Sequence, residues 1–209
     1  MANLFLKAAV RLLFIGTTHK LATNQAQCTL QNYMRLADGL TLEAGCRPVE
    51  VPPMPGIDED MRRWSFYMIL AHNTIVNRSI STTIGQLVRG EPLTVAATID
   101  FKKDVMPSRS AGEEQLQLFR DSVMEHIEMV KFLGKLRGTK TAPHPIFGDF
   151  DAHKWNCMFS FHLRLHYKQA AYVVRTAKAE KAHSGNQRST GPGSLTLGGD
   201  ENNRDQEPR

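Results

Sequence analysis

Residues 161–169 read Phe-His-Leu-Arg-Leu-His-Tyr-Lys-Gln. On a helix, His162 and His166 stand about one turn apart on one face, about 6 Å along the axis, a spacing that lets two imidazoles chelate one transition-metal ion. Two ligands do not make a centre, and eight histidines among 209 residues produce such a pair by chance often enough that a third is needed. His72 is the best candidate. It interrupts the most apolar helical segment, between Met68, Ile69, Ile75 and Val76, where a buried imidazole costs free energy unless hydrogen-bonded or metal-bound. Three neutral imidazoles leave a divalent ion at net charge +2 with open positions, as in catalytic zinc sites; structural zinc usually has four protein ligands. The competing reading makes His72 a core histidine satisfied by Asn73, Ser79 or a backbone carbonyl, and His166 a surface residue beside Arg164 and Lys168.

These residues need helices to hold them, and the apolar periodicity supplies five, with no convincing strand alternation. Residues 2–17 form an amphipathic helix with Leu4, Ala8, Leu12 and Ile15 on the side laid against the body. A second helix covers residues 24–44, with Gly45 just past its end. Pro48, Pro52, Pro53, Pro55 and Gly56 then force a loop. Residues 58–88 make a third, whose buried stripe includes Met61, Trp64, Met68 and His72. A capping box of Ser110 and Glu113 opens a fourth, striped by Leu116, Phe119, Val123, Ile127, Val130 and Leu133 and ended by Gly134 or Gly138. The last starts at Asp151 as N-cap, with Phe150 and Trp155 as a hydrophobic staple, and runs to about Ala179. The link at residues 89–109 can traverse a helix of ~30 Å at up to ~3.3 Å per residue, so the helices on either side of it are expected to run parallel.

Composition sets the outer limits. Apolar residues at 41% and charged residues at 22% exclude collagen-like, fully disordered and polytopic membrane chains. The formal charge of +5 belongs to residues 1–177, because the last 32 residues carry five basic and five acidic groups. Lys and Arg are spread without an aromatic-interleaved stripe, so nucleic acid is not the expected partner. Cys28, Cys46 and Cys157 match no zinc-ribbon spacing and read as reduced thiols of a cytoplasmic protein. No acidic residue precedes Asp38 and no serine precedes Ser65, so the amino terminus has only half the character of a transit peptide. No stretch approaches the ~20 apolar residues of a transmembrane helix. Binding of the basic N-terminal helix to a membrane surface is the rival to its packing on the body. Residues 180–209 are Gly-, Asn- and Ser-rich and are expected to be a disordered tail.

In order and separation, Trp64-Ser65, Met68 and Ala71-His72, then Ile75-Val76-Asn77-Arg78, His144-Pro145-x-Phe147-Gly148 and His162-x-x-x-His166-x-x-Gln169 resemble the DinB / YfiT-like metalloenzymes over roughly residues 24–178. The resemblance implies an all-α fold: a four-helix bundle of up-down-down-up order at residues 24–179, to which this chain adds the N-terminal helix (1–23) and the polar tail (180–209). It implies His72, His162 and His166 as ligands of a divalent transition metal such as zinc, nickel or iron. It also implies chemistry of the family's characterised members, which include thiol-dependent transferases and isomerases.

A three-histidine metal lowers the pKa of a bound thiol or water, and the basic excess would favour an anionic thiol. The expected function is therefore a metal-dependent low-molecular-weight-thiol S-transferase or a hydrolase. The alternative is a non-catalytic helical binding protein with a core histidine cluster. Asn73, His144, Tyr167 and Gln169 are the candidates to support the ligands or touch substrate, and a homodimer is an open expectation. His126 reads as a boundary residue, His19, His153 and His183 as exposed, and Cys157 as lacking a neighbouring base.

Overall fold

The computed structural model describes residues 2–93 and 104–188, with the side chains of residues 7–93 and 104–180. Among them are six α-helices and two short antiparallel strand pairs: α1 (Ala2–Gly16), α2 (His19–Ala37), α3 (Leu42–Cys46), β1 (Val49–Glu50), β2 (Arg63–Trp64), α4 (Phe66–Arg89), α5 (Glu114–Phe132), β3 (Ala142–His144), β4 (Gly148–Phe150) and α6 (Ala152–Arg188). The protein is mostly helical, as its periodicity predicts. α2 and α4 each pack against both α5 and α6. Tyr33 of α2 lies at the centre, its hydroxyl donating to the Leu163 carbonyl (3.2 Å) and its ring meeting Phe119 (4.8 Å) and Tyr167 (5.3 Å) edge-on.

Several boundaries differ from the sequence expectation for identifiable reasons. α2 begins five residues early because Thr18 caps it, its hydroxyl accepting from the Leu21 N–H. It ends at Ala37, where Gly39 takes a φ of +65°. Gly45 is not the terminator; it lies inside α3, where a Cβ would strike the Tyr67 ring. The Ser110–Glu113 capping box does not form, since the Gly112 N–H donates to the Glu114 carboxylate and α5 starts at Glu114. Gly134, with a φ of +67°, follows its end. Asp151 does cap α6, accepting from the Lys154 N–H at 3.0 Å, and Phe150 meets Trp155 edge-on at 5.7 Å as the staple requires. α6 continues to Arg188, so the first part of the expected tail is helical. Residues 189–209, and the middle of the 89–109 link, lie outside the described residues.

Met61 and Trp64 leave the expected helical stripe. Met61 ends a 3-10 turn (Glu59–Met61), and Trp64 pairs with Val49 across β1–β2. α1 is turned the other way round from expectation: Val10, Phe14 and Thr17 are buried, whereas Ala8, Leu12 and Ile15 face solvent. The side chain of Leu4 lies outside the described residues. Phe14 reaches Phe150 and Phe161, and its carbonyl accepts from His153 Nε2 at 3.1 Å.

His153 is therefore buried rather than exposed. So is His126, which ties three helices: its Nε2 donates to Asn156 Oδ1 on α6 (3.0 Å), its Nδ1 lies 2.9 Å from Ser81 Oγ on α4, and its ring stacks on Phe159. One turn earlier, Asn77 Nδ2 of α4 donates to Ser122 Oγ of α5 at 3.0 Å. Cys157 does have a basic neighbour, His153 Nε2 at 3.7 Å, but burial pushes its thiol up to about 12 and keeps it protonated.

Candidate metal centre

Local capping sets where the three histidines stand. Ser65, itself buried, accepts from the Met68 N–H at 3.2 Å and starts α4 immediately after β2, which places His72 two turns into the helix. Asp151 fixes the start of α6 in the same way, and His162 and His166 follow on its inner side. The sequence is apolar around both positions, so packing draws the imidazoles inward. His72 and His166 are each 2% exposed, and His162 is half-buried.

One nitrogen of each ring comes within 4.8 Å of its counterparts in the other two. His72 Nε2 and His162 Nε2 are 3.3 Å apart, the spacing of about 3.3 Å that two nitrogens keep when each is about 2.0–2.1 Å from a tetrahedral ion. The outer nitrogens decide the tautomers. His72 Nδ1 donates to the Val105 carbonyl at 2.8 Å, which can only accept, so the Nε2 lone pair of neutral His72 faces the cluster. Gln169 holds His166 likewise: its Nε2 donates to the Met61 carbonyl (2.7 Å), which turns Oε1 to accept from His166 Nδ1–H (2.9 Å). His162 Nδ1 is buried without a hydrogen-bond partner.

All three rings are held neutral. Burial lowers His72 from the usual imidazole value, partly offset by the Val105 bond. Burial and then the neighbouring His72 bring His166 down to about 3, against the opposing Gln169 bond. His162 falls well below the usual value through burial and its neighbours His166, His72 and His144. Neutral imidazoles with converging lone pairs are what a divalent ion binds, so the residues present fit such a group.

The four supporting candidates separate on inspection. Gln169 is fully buried and orients His166 directly. Asn73, one residue beyond His72, is also fully buried, donating to the Ile69 carbonyl (2.8 Å) and reaching the Tyr33 hydroxyl (3.5 Å). Tyr167 contacts the same Tyr33 ring. His144 ends β3, and its Nδ1 accepts from the Ile146 and Phe147 N–H groups while its ring lies among Phe147, Phe150 and Trp155. Burial lowers it to about 4.

Three contributors escaped the sequence reading. Trp64 walls the cluster, its ring 5.0 Å from that of His72 and stacked 6.4 Å from that of His166. The Met61 and Val105 carbonyls fix two tautomers, and no side-chain pattern announces a backbone carbonyl. Comparison with known proteins adds nothing to this geometry, since no family model, no curated protein and no solved structure matches the chain.

Proposed function

We propose that this chain is a divalent-metal-dependent enzyme of the DinB / YfiT-like kind, with His72, His162 and His166 as ligands. The observation that carries the reading is the convergence of three neutral imidazoles within 4.8 Å, two with their outer nitrogens fixed by dedicated partners. Metal-ligating histidines usually donate their other N–H in this way. The matching bundle is four-helical and up-down-down-up, formed by α2, α4, α5 and α6. Its support lies in the contacts: Asn77–Ser122 and Ser81–His126 advance together along α4 and α5, whereas His72–His162 and His126–Asn156 run in opposite senses between those helices and α6.

When bound, a transition ion such as zinc, nickel or iron would lower the pKa of a coordinated water to near neutrality and deprotonate a coordinated thiol. The protein's own part is positional. Gln169 and Val105 hold the ligand tautomers, Trp64 lies against the cluster, and His162, the least buried of the three, is on the side we assign to substrate approach. The reaction we assign is S-transfer from a low-molecular-weight thiol, or hydrolysis, with an anionic thiol favoured by the net charge of +5.

Elemental analysis of the purified protein tests the ligand set. Bound metal is expected in the native chain and absent from His72→Ala and His162→Ala, each still helical by circular dichroism. Unchanged metal content in both variants sinks the assignment. A thiol panel with electrophilic acceptors, run with and without chelator, tests the chemistry; turnover insensitive to chelation counts against it. The rival reading is a non-catalytic binding protein, favoured by the 3.3 Å His72–His162 contact, which two neutral imidazoles can also make as a hydrogen bond. A metal-free native protein would support that rival.

A further inference from the structure

Helix α1 carries Lys7 and Arg11 one turn apart on one face and is mostly apolar elsewhere, yet among its described side chains Val10 and Phe14, with Thr17 just past its end, are the ones buried against the body. Leu12, Leu13 and Ile15 stand 68%, 54% and 55% exposed. Adjoining apolar side chains left this exposed on one helix ordinarily mark a surface that something else covers. Beside the carboxyl end of α1 lies an open cleft of about 480 Å³, lined by Lys131, Lys135 and Arg137 together with His19 and His153, and by no acidic residue. Arg137 joins the two features, donating to the Ile15 and Thr17 carbonyls at 3.0 and 3.1 Å. Lys131 is shared with Glu128, whereas Lys135 projects into solvent. Lys7, Arg11 and Lys20 add positive charge along α1 and the start of α2, where no acidic residue occurs before Asp38.

From this juxtaposition we infer that α1 and the basic cleft beside it form a docking surface for an anionic lipid bilayer, a role separate from the metal centre. Leu12, Leu13 and Ile15 enter the headgroup–acyl boundary, and Lys135 and Arg137 take lipid phosphates. Stable attachment to a bilayer generally needs two signals, and here apolar insertion and a polybasic patch adjoin. Charge decides between occupants of the face. A second copy packed across a two-fold axis would set this cationic surface against itself, which is repulsive; an anionic membrane attracts it. No described helix is long and apolar enough to cross the bilayer, so the attachment is peripheral.

Cosedimentation of the full chain with vesicles tests the inference, using phosphatidylcholine alone and phosphatidylcholine with about 30 mole per cent phosphatidylglycerol. Binding is expected on the anionic vesicles only and is weakened by salt. Leu12→Asp with Ile15→Asp is expected to lower the partition coefficient at least about tenfold, and Lys135→Gln about fivefold. Both apolar positions are exposed, so circular dichroism should be unchanged; if the double variant unfolds, Leu12→Ser and Lys135→Gln carry the test singly. Equal binding to neutral and anionic vesicles, or none to either, overturns the proposal. So does a dimer in sedimentation equilibrium that the Leu12→Asp, Ile15→Asp change dissolves, since the face then belongs to a second copy. Binding of pyrophosphate in the cleft by a chain that ignores vesicles overturns it too, in favour of a small-anion site.

Discussion

Gln169 shows how much a single side chain decides in the histidine cluster. It is fully buried, accepts from His166 Nδ1 and donates to the Met61 carbonyl, so one amide fixes both the His166 tautomer and the 3-10 turn leading to Trp64. Gln169→Leu preserves bulk and removes both bonds. It leaves His166 Nδ1–H and the Met61 carbonyl without their partners, a cost of about 1–3 kcal/mol for a buried group. Loss of a partner that orients a metal ligand typically weakens metal binding about 10–100-fold. Metal titration of the variant, read beside its thermal unfolding, checks both effects, and an unaltered affinity would show that Gln169 does not position His166. Gln169→Glu separates the two bonds, because a carboxylate still accepts from Nδ1–H and cannot donate to Met61.

At the scale of elements, α6 depends on its first residues. Asp151 accepts from the Lys154 N–H and also from the Gly138 N–H (3.4 Å), tying the helix start to the turn after α5. Asp151→Ala should cost about 1 kcal/mol of stability, Asp151→Asn much less, because the amide oxygen still caps; equal losses in denaturant unfolding would show that the cap is incidental. This cap, its staple and the inward stripe of α5 were legible because each is a local pattern within one element. The clustering of His72, His162 and His166 was legible for the same reason: their spacing and apolar surroundings lie in a few turns of chain. What misled is non-local. α1 offers two apolar faces, and periodicity cannot choose between Val10–Phe14–Thr17 and Ala8–Leu12–Ile15. His126 reads as a boundary residue and His153 as an exposed one until Asn156, Ser81 and the Phe14 carbonyl arrive from distant segments. Spacing alone puts Trp64 in the α4 stripe, and only pairing with Val49 lifts it out of the helix to lie over His72 and His166.

Across the whole molecule the dominant electrostatic feature is a set of histidines held neutral. His72, His126, His144, His153, His162 and His166 are all lowered, each chiefly by burial. A histidine whose folded pKa lies below its unfolded value binds fewer protons folded than unfolded in the interval between the two. Stability therefore rises with pH through that interval and is lost as pH falls through it, by up to about 1.4 kcal/mol per pH unit for each group. For His126 and His144 the interval runs from the ordinary 6.5 down to about 4. Denaturant unfolding in chelator should then show stability declining steeply from about pH 6.5 to pH 4, before most carboxylates titrate. His126, at 1% exposure, contributes about 3 kcal/mol to that decline, and His126→Phe should flatten the profile by about one group's slope while losing the Asn156 and Ser81 bonds at every pH. If the proposed metal centre exists, adding zinc at pH 7 should raise the unfolding midpoint in the native protein and not in His72→Ala, because the ion would bind the folded cluster of neutral imidazoles. A stability profile flat from pH 6.5 to 4 would mean that these rings take up protons as readily folded as unfolded, and the neutral cluster on which the proposed metal binding depends would not exist.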